Sequence, residues 1–166
     1  EWRETARLAP NHAKAHHLLG LALQDQGNTE EAVGELQTSV RLDPENATAY
    51  VHLAQALESK GDSQGALGAY NKALELVPTS AHVHNRLGHL LAAQGDWQGA
   101  VKEWQQTTKL QPDYAYAYAN LGEALEQTAQ KKEALEAYKQ AVILDPAAPF
   151  ASEVRQRIVR LSTDEF

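Results

Sequence analysis

The sequence repeats itself every 34 residues. LGLALQDQGNTEEA, beginning at Leu19, returns as LAQALESKGDSQGA from Leu53, LGHLLAAQGDWQGA from Leu87 and LGEALEQTAQKKEA from Leu121. A unit this short cannot enclose a core by itself, so a fixed period in this range demands that neighbouring units stack and bury one another. Four units fit without a gap, at 13–46, 47–80, 81–114 and 115–148. Counting each unit from its own first residue, Pro44, Pro78, Pro112 and Pro146 fall at position 32, with Pro10 one period earlier. Leu8, Leu42, Leu76, Leu110 and Leu144 share position 30, and Ala32, Ala66, Ala100 and Ala134 share position 20.

Each unit reads as two helices. Apolar or small residues recur at positions 4, 7, 8 and 11, as in Tyr50, Leu53, Ala54 and Leu57, the spacing of one buried helical face. Gly27, Gly61 and Gly95 end that helix, and Asn28, Asp62 and Asp96 follow as expected N-caps of the next. The second helix carries the position-20 alanine and a bulky residue at position 24, namely Leu36, Tyr70, Trp104 or Tyr138. Small residues at positions 8 and 20 allow close approach, the large one fills the remaining gap, and Pro at 32 ends the unit. The predicted helices span 13–26, 30–42, 47–60, 64–76, 81–94, 98–110, 115–128 and 132–144.

The small and large slots at positions 8, 20, 24 and 32, with the G-D-W-x-x-A of Gly95 to Ala100, resemble the tetratricopeptide repeat over residues 13–148. The resemblance implies an all-α fold, a superhelical solenoid of stacked antiparallel helix pairs. Position 4 departs from the family's aromatic at His16 and His84, and Ala129 stands where the other units have Gly.

The two ends differ. Trp2 falls at position 24 of an upstream unit, so residues 1–12 read as a second-helix remnant, expected either to belong to a longer array or to pack on another copy through its exposed edge. Phe150, Val154, Ile158 and Leu161 form one stripe, with Glu153, Arg155, Gln156, Arg157 and Arg160 on the other faces. Residues 149–161 therefore read as a C-terminal capping helix showing its charge to water, followed by a tail at 162–166.

A net charge of −7 argues against a nucleic-acid binder, whose affinity rests on Lys and Arg at phosphates. No apolar run approaches membrane-spanning length, so direct insertion is not expected. The absence of Cys excludes disulfides, thiolate catalysis and zinc–thiolate sites, and is compatible with the cytoplasm, the favoured compartment, or the periplasm. GDSQGALG, from Gly61 to Gly68, lacks the Lys-Ser/Thr and preceding strand of a phosphate loop, so Gly65 and Gly68 read as tolerated helical glycines. The histidines include no H-E-x-x-H, and His12 precedes the helix on which His16 occupies a packing slot. No metal, cofactor or catalytic centre is expected.

Binding is the remaining role, and the resemblance implies that positions 2, 5, 6, 9, 12 and 13 face a concave groove. Those positions supply Lys14, His17, His52 and Gln55 in the first two units. His82, Asn85, Arg86 and His89 follow in the third, then Tyr116, Asn120 and Glu123 in the fourth. His82, Arg86 and His89 share one helical face. This patch suits an extended peptide or protein segment with an acidic group or backbone carbonyls that need donors. If His52, His82 and His89 line the site, an acidic peptide should bind more tightly as the pH falls toward about 5. The carboxylate clamp of tetratricopeptide co-chaperones, read onto this chain, meets His17, Leu21, His52, His82 and Arg86, and only Arg86 matches. Chaperone-tail binding is therefore disfavoured. The chain reads as a non-catalytic interaction scaffold in complex assembly or localisation. A substrate-selecting segment of a larger enzyme and a self-associating array are the alternatives.

Overall fold

A computed structural model describes residues 2–163. These form helices throughout: α1 Trp2–Leu8, α2 Ala13–Asp25, α3 Thr29–Leu42, α4 Ala47–Lys60, α5 Ser63–Leu76, α6 Ala81–Ala93, α7 Trp97–Leu110, α8 Ala115–Gln127, α9 Lys131–Leu144 and α10 Ala151–Thr163. The eight predicted repeat helices are all present, and their ends shift by at most a residue. Among the described residues there is no strand, and no helix is long and apolar enough to cross a membrane.

The chain divides into two compact units, Glu1–Thr79 and Ser80–Phe166. In the first, α2 pairs with α3 and α4 with α5, α3 packs on α4, and α1 lies against α2. In the second, α6 pairs with α7 and α8 with α9, α7 packs on α8, and α10 covers α9. Each pair is an antiparallel hairpin closed by a three- or two-residue turn, as between Asp25 and Thr29 or Lys60 and Ser63.

The hairpins close tightly because a small residue of the first helix meets a large one of the second. Leu36, Tyr70, Trp104 and Tyr138 are all at most 3% exposed. A Cβ on Gly20, Gly88 or Gly122 would lie 2.6, 2.7 or 2.5 Å from Leu36, Trp104 or Tyr138 respectively. Such approach leaves no room for a methyl group. Ala32, Ala66, Ala100 and Ala134 are fully buried beside them.

Turn chemistry explains where helices stop and start. Gly27, Gly61 and Gly95 hold φ of 76°, 83° and 80°, the left-handed conformation that lets the chain leave a helix. Ala129 takes the same conformation, φ 60°, despite its Cβ. Asp62 and Asp96 cap α5 and α7, accepting from the backbone N–H of Gly65 and Gly99 at 2.9 Å. Gly65 is more than a tolerated helical glycine, since a Cβ there would stand 2.6 Å from the capping Asp62 carboxylate. Asn28 occupies its expected capping place, yet its side chain makes no cap hydrogen bond. At α2 the capping side chain is His12, its Nδ1 accepting from the Ala15 N–H at 3.0 Å.

Two expectations about the C-terminal helix are corrected. It continues through Ser162 and Thr163, which were assigned to the tail, while 164–166 lie outside the described residues. Val154 and Leu161 join the buried core of the second unit as expected, but Arg157 is drawn partly out of water. Its guanidinium is 25% exposed and donates to Glu153 at 2.7 Å, to the Tyr138 hydroxyl at 3.1 Å and to Glu126 at 3.4 Å. Arg160 joins it on Glu126. A long side chain pulled onto a half-buried carboxylate ties α10 to α8, which a solvated charge could not do.

Candidate functional site

The expected binding residues lie on α2, α4, α6 and α8, the first helix of each pair. The helical repeat brings positions 2, 5, 6 and 9 onto one face. In the first unit, His17 and His52 meet across α2 and α4, with Nε2 and Nδ1 2.7 Å apart and ring centroids at 4.9 Å. One ring must donate the hydrogen and the other accept it. Burial, followed by the neighbouring His52, lowers the His17 pKa, because a charged imidazole there would lose its water and lie beside a second imidazole. His52 is thus engaged with a neighbouring imidazole and is not an isolated donor. Lys14 stands exposed one turn before His17, and Gln55 half-buried one turn after His52.

In the second unit, Trp104 of α7 organises the candidate residues of α6. Its indole N–H donates to the Asn85 side-chain oxygen at 3.2 Å, and its ring meets His89 in a T-shaped contact at 5.2 Å and 84°. His89 Nε2 accepts from the Asn120 amide at 3.3 Å, which links α6 to α8. Asn85 and His89, both expected binding residues, therefore contact the indole. His82 is exposed and Arg86 half-buried on the same helix.

On α8, Tyr116 is 43% exposed and meets the Phe150 ring edge-to-face at 4.8 Å. Glu123 lies 3.7 Å from the Arg157 guanidinium. Burial opposes the charge on Arg157, but hydrogen bonds to Glu153 and Tyr138, with Glu123 nearby, outweigh it and raise its pKa further. The same burial raises the Tyr138 phenol, so Tyr138 remains a neutral hydroxyl here. Phe150, Glu153 and Arg157 thus belong to the candidate surface, although the sequence reading gave them only a capping role. Their spacing in sequence carries no signal of this, because α10 is not a copy of the repeat.

Two further contacts, between position-4 histidines and glutamates, went unrecognised. His16 Nδ1 lies 2.6 Å from Glu35, and His84 Nδ1 lies 2.7 Å from Glu103. Glu35 and Glu103 both sit at position 23, so the register of the repeats did contain the signal. These histidines are 9% exposed and belong to the hairpin cores. Among the described residues, no three or more His, Asp or Glu side chains are gathered to hold a metal ion.

The sequence model of the tetratricopeptide repeat matches residues 17–81 and 85–149, together more than half of the chain. No curated protein matches it. Among solved structures, a crystal structure of MamA superposes with a TM-score of 0.83 at 26% identity, covering 87% of this chain and 85% of that one. YrrB, described as a TPR protein with an unusual peptide-binding site, gives a TM-score of 0.82 at 21% identity, covering 93% and 80%. PilF of Pseudomonas aeruginosa gives 0.72 at 26% identity, covering 92% and 68%.

Proposed function

Because the chain belongs to the tetratricopeptide repeat family, we infer that it is a non-catalytic scaffold binding a peptide or protein segment on the first helices of its hairpins, α6 and α8 in the second unit. The repeats are divided at 13–46, 47–80, 81–114 and 115–148, with α10 as their cap. The observation that carries this reading is the linked polar surface of the second unit. Asn85, His89 and Asn120 are positioned around a buried indole, and a large exposed aromatic, Tyr116, stands beside them. Aromatic area at little entropic cost, together with oriented amide and imidazole groups, is the chemistry of a polypeptide-binding surface.

On α6 the exposed His82 and the Arg86 guanidinium favour an acidic group of the ligand. The test is affinity capture with the whole chain, repeated with Arg86→Ala and Asn120→Ala. Each variant should lose a specific partner that the unmodified chain retains. Equal retention by both would show that binding lies elsewhere.

Self-association is a second reading, favoured by the exposure of Trp2 and Leu8 on α1, 39% and 69%. Sedimentation at rising concentration should show a dimer that Leu8→Glu abolishes. A strict monomer would remove this reading and leave the first intact.

A further inference from the structure

We propose that the pocket between α8 and α10 receives a lysine or arginine side chain of the bound segment, making α10 a wall of the binding site as well as its cap. The proposal rests on the groove reading given above and names the partner chemistry at one end of it. The cavity has a volume of about 90 Å³. The cavity opens to solvent and is sized for a single side chain, too small for a helix. Ala119 and Phe150 give it apolar walls, with Tyr138 and Val154 behind them. Asn120 and Glu123, both expected groove residues, border it, so it opens from the face that carries the other candidate positions.

Charge selects the occupant. Three carboxylates, Glu123, Glu126 and Glu153, surround two guanidiniums, Arg157 and Arg160, leaving one negative charge in excess. Arg157 already donates to Glu153, Glu126 and Tyr138, and Arg160 donates to Glu126. An incoming carboxylate would have to displace these and enter a negative field. Glu123 is the least committed acid: its contact to Arg157 is the longest, at 3.7 Å, and it is 45% exposed. A purely apolar side chain would desolvate Glu123 without giving it a partner, which is costly. A basic side chain does both jobs, laying its methylenes along Phe150 and Ala119 and ending its cation at Glu123. Within this unit the ligand then carries an acidic group toward α6 and a basic one toward α10.

The test is selection of a displayed random dodecapeptide library on the whole chain, on Glu123→Gln and on Ala119→Leu. Glu123→Gln removes the charge while leaving Arg157 its shorter contacts to Glu153 and Glu126. Ala119→Leu fills the cavity with an apolar side chain and leaves every charged group of its lining in place. The consensus selected on the unmodified chain should contain one Lys or Arg position, lost with both variants while the remaining positions persist. A peptide from that pool should bind Glu123→Gln about tenfold more weakly. A consensus with no basic position, or a basic position that persists on both variants, overturns the pocket and leaves the groove standing. Failure to select any consensus on the unmodified chain overturns both.

Discussion

Two of the four hairpins fill one packing slot differently from the other two. In α2/α3 and α6/α7, position 4 is His16 or His84 and position 23 is Glu35 or Glu103, joined at 2.6 and 2.7 Å. In α4/α5 and α8/α9 the same positions are Tyr50 with Ala69 and Tyr118 with Ala137. A histidine goes with a glutamate and a tyrosine with an alanine. The slot is therefore specified as a pair. An imidazole buried among apolar side chains needs a polar group opposite, whereas a larger ring needs only room. What looked like a departure from the family pattern at position 4 is half of a compensated exchange whose other half sits 19 residues later.

The strongest way to break this comparison is to exchange one half only. His84→Tyr leaves the Glu103 carboxylate, 24% exposed, without its imidazole, and should cost about 2 kcal/mol in urea unfolding. Adding Glu103→Ala should recover more than half of that loss, because the double variant reproduces the pairing of the α4/α5 hairpin. Additive losses, with a coupling below about 0.5 kcal/mol, would mean that the two positions are independent.

A second contrast concerns the small residues at position 8. Gly122→Ala drives a methyl group into the Tyr138 ring and should cost about 1–3 kcal/mol. Gly20→Ala should cost less, because Leu36 can shift rotamer where a ring hydrogen-bonded to Glu126 and Arg157 cannot. Equal losses would show that the hairpins tolerate crowding alike.

The turns give a smaller effect of opposite sign. Ala129 stands in the left-handed conformation occupied elsewhere by Gly27, Gly61 and Gly95. Ala129→Gly should therefore raise stability by about 1 kcal/mol, read from the unfolding midpoint. Gly61→Ala, the reverse change, should lower it by a similar amount.

The smallest effect is a pH dependence. The folded-state pKa of His17 is depressed, so the unfolded chain takes up its proton first. The stability associated with neutral His17 is fully present above about pH 6.5, the ordinary histidine value, and is lost as pH falls toward the lower folded value. Thermal midpoints followed from pH 7.5 to 5.5 should fall less steeply for His17→Gln than for the unmodified chain. Parallel curves would exclude this contribution.

The repeat helices were legible because each boundary was written four times over. Proline at position 32 and the small and large residues at 8, 20 and 24 reinforce one another in register, so a local ambiguity in one unit is settled by the others. The Gly122 and Tyr138 contact could thus be anticipated from residues 16 apart. The His84 and Glu103 pair was equally encoded but needed two positions to be read together. The α10 contacts were not legible. Arg157 reaches Glu126 across 31 residues and Arg160 reaches it across 34, and both come from a helix outside the repeat, where register offers no guide. The sequence marks such side chains only as charged, and a charged residue on an amphipathic helix is most simply placed in water. The His17 and His52 contact shows a related limit, since register placed both rings on the same face but gave no indication that they touch.

The central claim is that the first helices of the pairs carry the binding surface. Hydrogen–deuterium exchange of the whole chain, with and without a captured segment, tests it most directly. Added protection should fall on α6, α8 and the start of α10, with α7 and α9 unchanged. Protection confined to α3, α5, α7 and α9 would contradict the account.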